Sequence, residues 1–242
     1  MRIIIAKDYD ELSKRAADMM ASQIRVEGHT VLGLATGSTP VGAYKELIRQ
    51  YEEDGLDFSD VDTFNLDEYY GLSPDHPESY RYFMNEKLLK HVNIDMDRTH
   101  VPNGLAEDPE TECLKYDQLI EELGGIDFQL LGMGNNGHIG FNEPNECFVA
   151  NTNLVNLSEE TIEANSRFFN SAAEVPRQAI TMGFGAIMRA DKLLFVVSGK
   201  KKAKVVAAAL QGNITPKIPA SILQLHKDVI VILDEDAASE LK

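Results

Sequence analysis

Four residues, Phe128-Gln129-Leu130-Leu131, constrain the fold more than any other stretch of this chain. They form a short run that stops at Gly132, the pattern of a strand buried on both faces. Such a strand needs helices above and below it, and the sequence supplies them in alternation. Ile3–Ala6, Val31–Ala35, Val61–Asn65, Ala179–Met182, Lys192–Val197 and Val229–Leu233 read as further strands. Asp8–Val26, Tyr80–His91 and Asp108–Leu123 read as helices, and Tyr44, Leu47, Ile48 and Tyr51 give helical spacing after Pro40. The rhythm predicts an α/β fold, Rossmann-like and doubly wound, with a mostly parallel sheet and helices on both faces. At 242 residues it is expected as a single domain spanning 1–242.

The residues just beyond the Phe128–Leu131 strand suggest chemistry. Residues 132 to 144, GMGNNGHIGFNEP, cannot easily continue as strand or helix, so polar groups collect at a strand's carboxyl end, where open α/β sheets bind ligands. Asn136, His138 and Glu143 are therefore candidate site residues. Gly132, Gly134 and Gly137 also match the G-x-G-x-x-G dinucleotide fingerprint. Gly140 and Pro144 stand where its helix should run, however, and Leu154–Leu157 carries no acid for a ribose, so a nucleotide cofactor is not expected.

Charge narrows the remaining options. Asp and Glu outnumber Lys and Arg by 39 to 23, giving a net charge of -16 that repels nucleic acid and anionic membranes. The same field repels a small anion at long range, so a phosphate site has to be built from local donors. Thr36-Gly37-Ser38-Thr39-Pro40 can supply them: Gly37 permits close backbone approach, three residues carry hydroxyls, and helix-start amides point outward. An ordinary capping turn is the plainer reading of that loop. Lys200–Lys204 puts cations at a helix start, against the dipole, which a bound anion would offset; a solvated basic face is the alternative.

Asp67 lies beyond the third strand, between apolar Leu66 and Tyr69, with Glu68 as a neighbouring like charge. Burial and like charge both raise a carboxylate pKa, and an unperturbed Asp near ~3.9 is a weak base for a carbon-bound proton. Arg167, among Asn165-Ser166-Arg167-Phe168-Phe169, reads either as a surface ion or as a bidentate anion ligand. Ser158–Thr161 reads as a helix cap, and His76 and His91 as surface or capping residues. Cys113 and Cys147 fit no metal spacing and no disulfide framework, and no segment resembles a signal peptide or membrane span. These features predict a cytoplasmic protein with no membrane partner.

Taken together, Leu34–Pro40, Phe64–Tyr69, His76–Tyr80, Gly137–Pro144, Asn165–Phe169 and Leu223–His226 resemble, in order, the glucosamine-6-phosphate deaminase family, within the wider group that includes 6-phosphogluconolactonase. The resemblance runs nearly end to end. It implies isomerisation and deamination of glucosamine 6-phosphate to fructose 6-phosphate and ammonium, with no metal and no cofactor. His138 would then assist ring opening, oriented by Asn136 and Glu143, and Asp67 would move the C2 proton to C1. Thr36, Gly37, Ser38 and Thr39 would hold the phosphate with Arg167 and Lys202, the latter taken from the G-x-x-K-A pattern. A phosphosugar lactonase or isomerase, or a non-catalytic sugar-phosphate sensor, would be the alternatives.

Two departures from the family pattern carry expectations of their own. Some members have Asp where this chain has Asn136, which implies a weaker stabilisation of the imidazolium here. Longer members carry a C-terminal tail and basic residues after the Glu-Pro pair that are associated with oligomers and allosteric activation. This chain has Asn151–Val155 there and lacks the tail. A monomer or small homo-oligomer without such activation is the expectation.

Overall fold

The computed structural model describes residues 1–166, 169, 171 and 174–242. The chain opens with β1 (Arg2–Ala6) and α1 (Tyr9–Val26), whose N-cap Asp8 accepts from the Glu11 amide at 2.9 Å. Leu12, Ala16, Met20 and Ile24 recur at helical spacing along α1 and are buried. Truncating one such large side chain, Leu12→Ala, would cost roughly 2–5 kcal/mol. Next come β2 (Thr30–Leu34), α2 (Val41–Asp54), β3 (Val61–Asn65), β4 (Asp67–Tyr69) and α3 (Tyr80–Lys87). The middle of the chain holds β5 (Thr99–His100), α4 (Pro109–Glu122), β6 (Phe128–Leu131), β7 (Asn153–Asn156) and α5 (Glu159–Asn165). The last third contains β8 (Gln178–Thr181), α6 (Phe184–Arg189), β9 (Lys192–Val197), α7 (Ala203–Gln211), β10 (Val229–Asp234) and α8 (Glu235–Ala238).

Seven strands form one parallel sheet in the order β1-β10-β9-β6-β2-β3-β5. Every residue of β2, β3 and β6 is buried, as expected of strands covered on both faces. From β2 the chain steps outward through β3 to β5, then returns to the other side of β2 and steps outward again through β6, β9 and β10. The direction reverses between β2 and β6. In open α/β sheets the crevice beyond the carboxyl ends at such a switch point is the ligand site. The loops that leave these two strands are the Thr36–Thr39 turn and the glycine-rich stretch holding His138.

The sheet is not the whole architecture, and here the structure corrects the expectation from sequence. Asp67, Glu68 and Tyr69 are not merely the polar tail of β3: they form β4 in a second, antiparallel sheet ordered β4-β8-β7. The Ala179–Met182 run belongs to this small sheet as β8, not to the parallel one. The register pairs Asp67 with Thr181, and the Met182 amide donates to the Leu66 carbonyl at 2.7 Å, tying the small sheet to the end of β3. Beneath it lies a separate apolar cluster of Tyr69, Phe141, Leu157, Ile162, Val175 and Ala179, distinct from the main core. Among the described residues no helix is long and apolar enough to cross a membrane.

Candidate active site

The turn after β2 is held from behind. Tyr44, on α2, donates its hydroxyl to the Ala35 carbonyl at 2.6 Å and accepts from the Ala35 amide at 3.2 Å. From α1, the Tyr9 hydroxyl lies 3.0 and 3.1 Å from the Ser38 and Thr39 carbonyls and accepts from the Gly42 amide at 2.9 Å. Both tyrosines engage the turn through its backbone and leave its other face free. Among the described residues, the amides of Gly37, Ser38 and Thr39 and the hydroxyls of Thr36, Ser38 and Thr39 make no hydrogen bond. Gly37 adopts φ 97°, the left-handed region that favours glycine. A cluster of free donors at the start of a 14-residue helix has the geometry that suits an anion.

Lys202 is the one lysine of its cluster turned inward. Lys200, Lys201 and Lys204 are exposed, whereas Lys202 is partly buried and its ammonium donates to the Met133 carbonyl just past β6. Among the described residues no carboxylate pairs with it, and burial pulls its pKa below the usual lysine range. The 3-10 turn Lys200–Lys202 is anchored by Asp234, which accepts from the Gly199 amide at 3.0 Å. Among the described residues no hydrogen bond or ion pair joins Lys202 to the Thr36–Thr39 turn; they stand at the carboxyl ends of β9 and β2, on either side of β6. Arg167 lies outside the described residues.

Asn136, His138 and Glu143 are brought together as the sequence suggested. Asn136 Oδ1 lies 2.7 Å from His138 Nδ1 and accepts from the His138 amide at 3.2 Å, while Asn136 Nδ2 donates to Glu143 Oε2 at 2.6 Å. The same Glu143 oxygen is 3.5 Å from His138 Nδ1, so a full negative charge stands beside the imidazole even though residue 136 is neutral. Burial pushes the Glu143 pKa up, but His138, Thr161 and Asn136 more than offset this and hold it down at about 2. The glycines around the histidine clear space: a Cβ on Gly134 would stand 2.1 Å from the His138 ring. No helix starts within residues 132–152, so the fingerprint-like glycines have no helix N-terminus behind them.

Asp67 reaches the same place from the small sheet. Gly140, two residues after His138, has φ 59°, and a Cβ there would lie 3.0 Å from Asp67 Oδ2 and 2.8 Å from Thr181 Oγ1. Asp67 is 5% exposed, and among the described residues no donor reaches its carboxylate. Burial, and secondarily the charge of Glu68, pushes it up to about 8. Glu68, 2% exposed, has a different setting: its oxygens accept from the amides of Tyr69 at 2.8 Å and of Tyr80 and Arg81 at 2.9 Å. Burial raises its pKa while those amides oppose the rise. The His76–Tyr80 segment builds the amide nest, since Ser79 caps α3 by accepting from the Tyr82 amide at 3.0 Å. Tyr80 then stacks on Phe141 with centroids 5.8 Å apart.

The family model for glucosamine-6-phosphate isomerases/6-phosphogluconolactonase matches residues 7–232. The chain belongs to this family. Among family relatives, a glucosamine-6-phosphate deaminase of Clostridium perfringens is 60% identical over all 242 residues and covers 100% of both chains. One from Thermoanaerobacter sp. is 56% identical, covering 99% of this chain and 94% of its own. The fold superposes on a solved monomeric glucosamine-6-phosphate deaminase of the NagB superfamily with a TM-score of 0.97 at 47% identity, covering 99% of this chain and 100% of that one. A 6-phosphogluconolactonase from Thermotoga maritima, 20% identical, shares the family fold with a TM-score of 0.73 over 96% of this chain and 97% of its own.

Within this family framework, sequence alone missed three contributors. Tyr9 sits far from the turn it holds, and nothing in its local pattern distinguishes it from a helix surface residue. Ser158 and Thr161 were readable as a cap, and Ser158 does accept from the Thr161 amide at 3.2 Å. Both hydroxyls also turn to Glu143 Oε1, Thr161 in a short hydrogen bond and Ser158 at 3.4 Å. His226, at the end of the Leu223–His226 segment, is structural: its ring nitrogens lie 2.8 and 3.0 Å from the Ala190 and Asp228 carbonyls. Among the described residues, no group of three or more His, Cys, Asp or Glu could hold a metal ion.

Proposed function

We propose that this chain converts glucosamine 6-phosphate and water into fructose 6-phosphate and ammonium, as a single catalytic unit spanning 1–242. The carrying observation is a buried carboxylate, Asp67, without a donor among the described residues, against the Gly140 backbone two residues after an imidazole whose Nδ1 is tied to an anion-backed amide. Thr36–Thr39 holds the phosphate through free amides and hydroxyls, with Lys202 and Arg167 adding charge. His138 Nε2 takes the C1 hydroxyl proton and returns it to the ring oxygen, opening the pyranose. Glu143, through Asn136 and directly at 3.5 Å, stabilises the imidazolium formed on the way.

Asp67 then removes the C2 proton of the open aldehyde, and the electron pair moves to give an enolamine. Returning that proton to C1 produces an imine of the ketose. Water adds to its carbon, and the C–N bond breaks to release ammonia. A carboxylate near pKa 8 is matched to this task, since the best general base has a pKa close to working pH. The solved monomeric relative supports a monomeric enzyme, and a cytoplasmic location suits a sugar-phosphate substrate.

Ammonia release from glucosamine 6-phosphate by the purified chain, without added metal or nucleotide, tests the reading, with Asp67→Asn alongside. Release by the parent and its loss in the variant is expected. A parent that binds the sugar phosphate but releases no ammonia would overturn the assignment.

A further inference from the structure

The Asn136 amide has two ends that differ only in what they offer, and two neighbours decide which end faces His138: the His138 amide donates to Oδ1 at 3.2 Å, and Glu143 takes Nδ2 at 2.6 Å. Glu143, ionised, can only accept, so Asn136 Nδ2 must face it, and Oδ1 must face the ring. Oδ1 also only accepts, so the neutral imidazole carries its proton on Nδ1 and leaves the Nε2 lone pair for substrate. The shorter of these two constraints holds only while Glu143 stays where it is. Its second oxygen, Oε1, is engaged among the described residues only by the hydroxyls of Thr161 and Ser158, in the first turn of α5 and at its cap.

We propose that Thr161, seconded by Ser158, is a positioning residue of the proton relay, fixing the Glu143 carboxylate and through it the tautomer of His138. This rests on the deaminase reading and deepens it. Thr161 is buried, and its hydroxyl, 3.0 Å from Ser158 Oγ, goes to the carboxylate rather than to solvent. Its neighbour Ile162 packs in the small apolar cluster with Phe141, two residues before Glu143, so the helix turn and the loop share one packed cluster. The Glu143 amide donates to the Phe141 carbonyl at 3.0 Å, which ties Glu143 to the residue that enters that cluster. Without the Thr161 hydroxyl, Oε1 keeps one long contact, the carboxylate can rotate off Asn136, and the amide is held only by its longer bond from the His138 amide.

The experiment pairs steady-state kinetics with long-range proton–nitrogen NMR of the His138 ring in the full chain. Thr161→Val, similar in shape but without the hydroxyl, should lose about tenfold or more in kcat/KM, the consequence of leaving a buried acceptor unmet. Its His138 nitrogens should shift from a single Nδ1–H form toward a tautomer mixture. Thr161→Ser should restore both readouts to within about threefold of the parent. In a Glu143→Gln background, Thr161→Val should cause no further loss, because coupled positions are not additive. An intact Nδ1–H signature in a crippled Thr161→Val, or an equal loss in both backgrounds, would overturn the proposal and leave a helix-stability effect. The ring signal is read without substrate, so a parent that releases no ammonia would sink the deaminase reading and still leave this arm decisive.

Discussion

Two carboxylates flank the site, and they are opposite in character. Asp67 is buried, with no donor among the described residues, and pushed up to about 8, while Glu143 is ringed by Asn136, Thr161, Ser158 and His138 and held down at about 2. Both feel burial, which raises either one; the difference is what the fold brings to their oxygens. Glu143 receives hydrogen bonds and a cation-capable partner. Asp67 receives only the like charge of Glu68, which the amide nest at the start of α3 helps to keep ionised. The contrast teaches that acid and base roles are assigned here by neighbours rather than by residue type.

The most severe way to break the contrast is Asp67→Asn. It should cost roughly 10²- to 10⁴-fold in kcat/KM, the usual contribution of a positioned base. It should also stabilise the fold at high pH. Asp67's folded pKa lies above its unfolded value of ~3.9, so the unfolded chain ionises first and stability falls as pH rises between ~4 and about 8. A melting temperature for the variant that overtakes the parent's as pH rises from 5 to 9 would show that slope removed; parallel curves would contradict it.

A sharper test needs no mutation. If Asp67 is the base, kcat/KM should have an acid limb near pH 8 and fall about tenfold per unit below it, roughly hundredfold by pH 6. Glu143, ionised throughout, should add no limb above pH 4. An acid limb near pH 4 would erase the contrast. Next in size is Asn136→Asp, which sets two carboxylates face to face where an amide now bridges at 2.6 Å. Such a pair shares one proton, so the variant should lose about tenfold or more in kcat/KM at neutral pH and lose stability as pH rises. Gain of activity would mean the neutral amide is a handicap here. The smallest expected effect is Tyr9→Phe, which frees the Ser38 and Thr39 carbonyls and should raise KM a few-fold, by about 1 kcal/mol of lost positioning, with kcat little changed.

Much of this was legible in the sequence because it is local. Val61–Asn65 and Lys192–Val197 are strands with the bounds their composition suggests, and Asn136, His138 and Glu143 lie within eight residues of one another. Burial and like charge at Asp67 could be read from Leu66, Glu68 and Tyr69. What could not be read depends on distant partners. The strand character of Asp67–Tyr69 is conferred by Gln178–Thr181, more than a hundred residues later, and three residues carry no period of their own. The second hydrogen bond of Thr161 and the hold of Tyr9 on the phosphate turn are likewise products of tertiary approach.

The small antiparallel sheet has one more consequence. The Thr36–Thr39 turn and Lys202 follow β2 and β9 of the parallel sheet, whereas Asp67 lies in β4 of the small sheet and Thr161, which bonds Glu143, adjoins Ile162 of the cluster beneath it. On the proposed reading, the phosphate anchor and the base therefore come from different sheets, joined where Met182 meets Leu66. On that reading, substitutions in the small sheet would alter the chemistry at the sugar and leave the hold of Tyr9 and Tyr44 on the Thr36–Thr39 turn in place.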